Sequence, residues 1–176
     1  DMANQALADY YLSNDLKQEG LALYEDILAG MEKKDVPLVK RINIIRQLLN
    51  KAPGQEKKLE YLGLLKKYLD QCDRDGIVKL DDENRVSTLK YTMNRGFAMT
   101  YLHLGKNDLA LRYLKQAEAL LKEYNIANRQ LEIKTIYAVY YWNIGELDKS
   151  IALYDELLQC YEPVSYTHLR AHETRG

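Results

Sequence analysis

GLALYEDIL, Gly20 to Leu28, and SIALYDELL, Ser150 to Leu158, are near copies of each other within one chain. Setting them in register extends the match backwards, to ADYYLSNDLKQEGLALYEDIL over AVYYWNIGELDKSIALYDELL. Ala8, Tyr10, Tyr11, Ala22, Leu23, Tyr24 and Leu28 then pair with Ala138, Tyr140, Tyr141, Ala152, Leu153, Tyr154 and Leu158, each 130 positions apart. A third copy, AMTYLHLGKNDLALRYLKQAEAL, lies 40 positions before the last and places Ala98, Tyr101, Gly105, Ala110, Leu114 and Ala117 at corresponding sites. Self-similarity of this kind marks a repeat array.

Within each copy the apolar residues fall three and four apart, as in Leu21, Tyr24, Ile27 and Leu28, or Ala110, Leu114, Ala117 and Leu121, which is helical spacing. Each copy also has a polar break in its middle, SND, LGKND or NIGELD. There Gly or Asn can close one helix and Asp can begin the next. The unit is therefore expected to be two antiparallel helices. One such pair cannot hide its own apolar stripe, whereas stacked pairs bury a continuous core.

These residues resemble the tetratricopeptide repeat, whose pattern sets a small and an aromatic residue on the first helix, Gly at the turn, and small, aromatic and small residues on the second. Ala98, Tyr101, Gly105, Ala110 and Ala117 fit best. Ala138, Tyr141, Gly145, Tyr154 and Pro163 also fit, although Ser150 and Leu157 stand in for the small pair; the first unit has Gly20 and Ile27 there. Those departures predict looser helix contact. A weaker second unit, VPLVKRINIIRQLLNKAPGQEKKLEYLGLLKKYL, has Pro53 and Gly54 at its turn and Tyr61 in the aromatic place. The resemblance covers about Ala3 to Pro163. It implies an all-α, right-handed α-solenoid of about four antiparallel helix pairs, with units near 1–30, 36–72, 86–124 and 129–162.

The 176 residues carry 25 Lys and Arg against 26 Asp and Glu, a net charge of −1, so there is no overall basic footprint for nucleic acid or an anionic membrane. No apolar run approaches the roughly 18 residues that cross a bilayer. A cytoplasmic location is expected, or a periplasmic one if the chain belongs to a membrane-anchored sensor. Cys72 and Cys160 are too far apart to give zinc-ligand spacing or a disulfide framework, and are read as small buried hydrophobes. Tyr is unusually frequent, 15 against one Phe and one Trp, and must have a structural duty. Burying one contributes on the order of 1.5–3 kcal/mol before entropy is counted, so Tyr11, Tyr24, Tyr101, Tyr141 and Tyr154 are expected in the core.

Two stretches look chemical. QCDRDGIVKLDD, Gln71 to Asp82, meets an EF-hand pattern at Asp73, Asp75, Gly76 and Val78. Gln71 at the first place, Asp82 at the last and Lys79 beside them do not, so it reads as a solvated connection between helices. His168 and His172 stand one helical turn apart with Glu173 adjacent, in neither zincin order. Val164 to Gly176 is similar to translated sequencing-adapter read-through, and 164–176 is read as a non-native or disordered tail. No P-loop, Rossmann glycine pattern or Ser, His and Asp set is present. His103 is taken as a packing or surface residue, and the Lys pairs at Lys33, Lys57 and Lys66, which include Lys67, as solvated helix faces. No enzyme activity, cofactor or metal is expected.

The resemblance also implies a concave wall lined by first helices, and hence a partner-binding groove at Gln5, Asp9, Arg46, Asn50, Arg95, Met99, His103, Thr135, Val139, Trp142 and Asn143. Trp142 replaces Leu12 and Leu102 of the other copies, so it is either a binding anchor or packed on a neighbouring helix. Arg46 and Arg95 are suited to carboxylates. Chaperone-tail binders of the family carry a Lys and Asn clamp at places that hold Gln5, Asp9, Ile42 and Asn43 here, which argues against that role. The expected function is a non-enzymatic module binding a protein or peptide. The alternative is a sensory or regulatory segment of a longer bacterial signalling protein, a histidine kinase or transcription regulator, with an effector beyond Pro163.

Overall fold

The computed structural model describes residues 2–13, 16–126 and 129–173, with side chains described as far as Cys160. The described helices are α1 Met2–Ser13, α2 Lys17–Lys33, α3 Leu38–Lys51, α4 Gln55–Arg74, α5 Val86–His103, α6 Asn107–Glu123, α7 Gln130–Asn143 and α8 Leu147–Glu173. They pair as α1–α2, α3–α4, α5–α6 and α7–α8. Every helix packs on its neighbours in sequence, and α5 also meets α7. The chain is thus an all-α solenoid of four antiparallel pairs standing in file. None of its described helices is long and apolar enough to cross a membrane.

Helix ends explain the polar breaks. α2, α4, α5, α6 and α7 are each followed by a residue of positive φ: Asp35 at 51°, Gly76 at 68°, Gly105 at 73°, Asn125 at 48° and Gly145 at 82°. In every case the next amide reaches back five residues, Val36 to Met31, Ile77 to Cys72, Lys106 to Tyr101, Ile126 to Leu121 and Glu146 to Tyr141. This is the Schellman closure, which satisfies orphan carbonyls and favours residues that tolerate the left-handed region. The expected Asp start differs in detail. Lys106 occupies the cap position of α6 with no side-chain bond, and Asp108 lies within the first turn, where its charge meets the helix dipole. The SND break falls at Asn14 and Asp15, outside the described residues.

The small positions sit where the helices of a pair cross. Ala8, Ala98 and Ala138 are fully buried. A Cβ at Gly20 would lie 2.7 Å from Leu12 Cγ and 3.0 Å from the Ala8 carbonyl oxygen, so α1 and α2 touch closely. Ser150, its counterpart, is fully buried and donates its hydroxyl to the Ala138 carbonyl at 2.8 Å. The predicted loosening is therefore absent there: a hydroxyl occupies the space that glycine leaves empty, and Leu157 and Ile27 are both buried as well.

Tyrosine has a duty that phenylalanine could not perform. Tyr24 donates to Asp9, Tyr61 to Glu25 at 2.6 Å, Tyr68 to Glu32, Tyr91 to Glu132 at 2.9 Å and Tyr137 to Glu118 at 3.3 Å. Each bond joins two helices, and four of the five join successive pairs. Of the five tyrosines expected in the core, Tyr24 is buried, Tyr11, Tyr101 and Tyr141 are half-buried, and Tyr154 is exposed. Tyr101 stacks with Phe97 and Tyr113 between α5 and α6. Tyr154 lies on the side of α8 that no hairpin covers. Cys72 is buried, but Cys160 is exposed, which corrects its reading as a core residue. Lys57 and Lys67 are more than solvated faces, since they bind Glu25 and Glu32 across the α2–α4 contact.

Candidate functional site

A cleft of about 1050 Å³ runs across α3, α5 and α7, the first helices of the last three pairs, with Lys58 and Leu62 of α4 at its floor. Arg46 and Asn50 are one turn apart on α3 and Arg95 and Met99 one turn apart on α5, so each pair points to one side of its helix. Thr135 of α7 completes the set. Gly96 also belongs to the wall. A Cβ there would come within 2.9 Å of Leu62 Cδ2, so glycine lets α4 and α5 approach at the floor.

The electrostatics of the cleft centre on Glu132. Its carboxylate accepts from Arg95 at 2.5 Å, Tyr91 at 2.9 Å and Arg129 at 2.8 Å. Burial alone would raise its pKa, but the bonds from Arg129, Arg95 and Tyr91 outweigh that and hold it below the ordinary carboxylate range. Burial and the same carboxylate push the Tyr91 phenol well up. Arg95 was expected to be ready for a partner's carboxylate, yet its guanidinium already has one inside the chain. Arg46 is differently placed: it is exposed and donates to the neutral Asn84 amide oxygen at 2.8 Å.

The remaining candidates lie outside this cleft. Val139 is half-buried against the core shared by α5, α6 and α7. Asn143 donates to the Leu102 carbonyl at 3.0 Å and to Asn107 at 3.1 Å, bridging the ends of α5 and α7. His103 and Trp142, beside those bonded residues, are exposed at the same end of the row, and Trp142 is 58% exposed rather than packed on a helix. Asp9 is engaged by Tyr24 and Ile42 is buried, while Gln5 lines a smaller cleft between α1, α2 and α3; Asn43 lines both that cleft and the larger one. Sequence reasoning missed Lys58, Glu132 and Gly96. Glu132 lies one position off the register of first-helix groove sites, Lys58 stands on a second helix, and Gly96 has no side chain to mark it.

The two chemical stretches divide. In the Gln71 to Asp82 connection, Asp73 pairs with Lys90 at 2.7 Å, Asp82 with Lys79 at 2.9 Å, and Asp81 binds the amides of Glu83 and Asn84. Among the described residues no group of three or more His, Cys, Asp and Glu is arranged to hold a metal ion. The backbone of α8 continues to Glu173, past Pro163; the side chains of His168 and His172 fall outside the described residues, as does all of 174–176.

No family model matches the chain, and no curated protein matches it significantly. Two solved structures are similar in fold, both described as a Podosopora anserina kinesin light chain with nearly identical TPR-like repeats, one of them a point variant. The variant aligns with a TM-score of 0.48 at 14% identity over 94% of this chain and 96% of that one. The other aligns at 0.47 and 15% identity, over 93% and 95%.

Proposed function

We propose that the chain is a non-catalytic interaction module that holds an extended, acidic segment of a partner protein in the α3–α5–α7 cleft. The observation that carries this reading is the composition of the wall. Arg46, Lys58 and Arg95 face a single acid, Glu132, so the cleft carries an excess of positive charge in a chain whose net charge is −1. Apolar Leu49, Leu62, Met99 and Ile136 alternate with Asn43, Gln47, Asn50 and Thr135. Such a surface offers apolar contact for side chains and amides for a peptide backbone, while charge sets orientation and preference. Glu132 is held ionised by three donors and is a poor proton carrier, which supports a binding role over a catalytic one. Trp142 and His103 would extend the site at the end of the same row.

Selection from a random peptide library tests this. Recovered sequences are expected to be rich in Asp and Glu, and Arg46→Glu is expected to weaken them at least tenfold, since it reverses a charge without touching the Glu132 cluster. Peptides without acidic bias, or binding unchanged in Arg46→Glu, would remove the cleft from consideration.

A further inference from the structure

The two arginines of the cleft meet acceptors of different kinds. Arg95 donates to the Glu132 carboxylate at 2.5 Å, an ion pair within the chain that spends its charge. Among the described residues Arg46 donates only to the neutral Asn84 amide oxygen, at 2.8 Å, and enters no ion pair. A neutral acceptor takes one N–H of Nη1 and leaves the cation uncompensated. The edge formed by Nε and Nη2 stays open, and such a fork grips a carboxylate with two parallel bonds.

Asn84 comes from the connection between α4 and α5, residues 75–85, which is longer than the connections 34–37 and 124–129 at the other joints between pairs. That extra length is folded. The Leu80 amide donates to the Asn84 carbonyl at 2.9 Å and the Val86 amide to the Val78 carbonyl at 3.1 Å, beside an antiparallel bridge between Lys79 and Arg85. Asp81 accepts the backbone amides of Glu83 and Asn84, and its two carboxylate oxygens take the Asn84 side-chain nitrogen at 2.8 and 2.9 Å. An asparagine amide can present either end, but a carboxylate on its nitrogen side turns the oxygen toward Arg46. The bond from Asn84 is the main reason why the Asp81 carboxyl lies below its ordinary range, and the Arg46 charge is a minor one. Asn84 is itself buried and does not line the cleft, so it acts through Arg46.

We propose that Asn84 is a positioning and specificity-determining residue of the cleft: turned by Asp81, it steadies the Arg46 guanidinium and leaves its charge and open edge to one carboxylate of the partner segment. This rests on the reading of the cleft as a site for an acidic segment, and adds that the acid docks at Arg46 and not at Arg95.

Exchanging the two side chains, Asp81→Asn together with Asn84→Asp, tests this in the full chain, with helical circular dichroism to verify folding. The exchange keeps composition, net charge and an amide facing a carboxylate, but moves the negative charge onto Arg46. The probe is an acidic peptide recovered from the library by the parent, beside the same peptide with its Asp and Glu changed to Asn and Gln. The parent is expected to favour the acidic form about tenfold or more, and the exchange variant to lose that preference while binding the amide form as the parent does. Asn84→Ala is expected to weaken the acidic form alone. In nuclear magnetic resonance spectra of the unbound protein it is also expected to remove the slowly rotating Arg46 guanidinium signal, which is identified by its absence in Arg46→Lys. An exchange variant that retains the parent's preference overturns the proposal. So does an Arg46 signal that Asn84→Ala leaves unchanged, or an equal weakening of both peptide forms, the mark of a merely structural role. A library without acidic bias removes the binding reading itself and this proposal with it, whereas acidic peptides whose preference survives the exchange remove this proposal alone.

Discussion

At the scale of single residues, the tyrosines show how a side chain can be apolar glue and a specific tie together. Tyr61 is fully buried, yet its hydroxyl reaches Glu25 on another helix pair, and Lys57 meets the same carboxylate. Burial alone would raise the Glu25 pKa; the bonds from Tyr61 and Lys57 turn the balance and lower it. Tyr61→Phe keeps the ring but removes the donor from a charged acceptor. It is expected to cost about 1–2 kcal/mol, near the lower end for such bonds because Lys57 remains. Denaturant unfolding would measure this, with exposed Tyr124→Phe as a control changing stability by less than about 0.5 kcal/mol. An equal effect of both would mean that the hydroxyl rung contributes nothing. This duty was only half legible: composition gave the excess of Tyr over Phe, but each acceptor lies on another helix, 15 to 41 positions away, and follows no local pattern.

At the scale of elements, local chemistry decides where helices stop, and that was readable. Gly105 and Gly145 fall at equivalent places in their copies and both take positive φ, closing α5 and α7 with the same five-residue back-bond. Asp35 and Asn125 do the same work with less freedom, and Arg41 steadies Asp35 through its carboxylate and the Val36 carbonyl. A left-handed conformation costs an L residue roughly 1–2 kcal/mol. Gly105→Ala is thus expected to lower stability by about 1 kcal/mol, and Asn125→Gly to leave it level or raise it slightly, since Asn already tolerates this region. Thermal unfolding would register both; a neutral Gly105→Ala would mean that the turn can close in another conformation. Helix starts were less legible, because α6 begins without a capping side chain and is held by its packing on α5. The groove register was legible for Arg46, Asn50, Arg95, Met99 and Thr135, which share one cleft. Val139 and Asn143 lie outside that cleft, because spacing assigns a helix face but does not say whether a neighbour already occupies it.

At the scale of the whole molecule, the same rungs tie stability to pH at both ends. Glu32 is lowered by the bond from Tyr68, against a smaller opposing effect of burial. Glu25 and Glu132 are lowered because their bonds outweigh burial. Carboxylates with depressed folded pKa values stabilise above their unfolded value, and that contribution is lost as pH falls through the folded one. The phenols act in the opposite direction. Burial, then the carboxylate each one faces, pushes Tyr24 and Tyr68 up to about 12; Tyr137 also reaches about 12, with burial again the largest cause, and Tyr61 and Tyr91 are raised as well. The unfolded chain releases these protons near pH 10. A folded pKa above the unfolded one gives stability that is complete below about pH 10 and is lost as pH climbs through the folded value. Each such tyrosine is expected to steepen the loss by up to about 1.4 kcal/mol per pH unit. The array should therefore unfold cooperatively between about pH 10 and 12, with the tyrosinate absorbance of these residues appearing together with loss of helix. Gradual ionisation of all the phenols near pH 10 while the helices persist would show that the rungs are open in solution. Since most of them join one pair to the next, it would also leave the stacked file without its main polar ties.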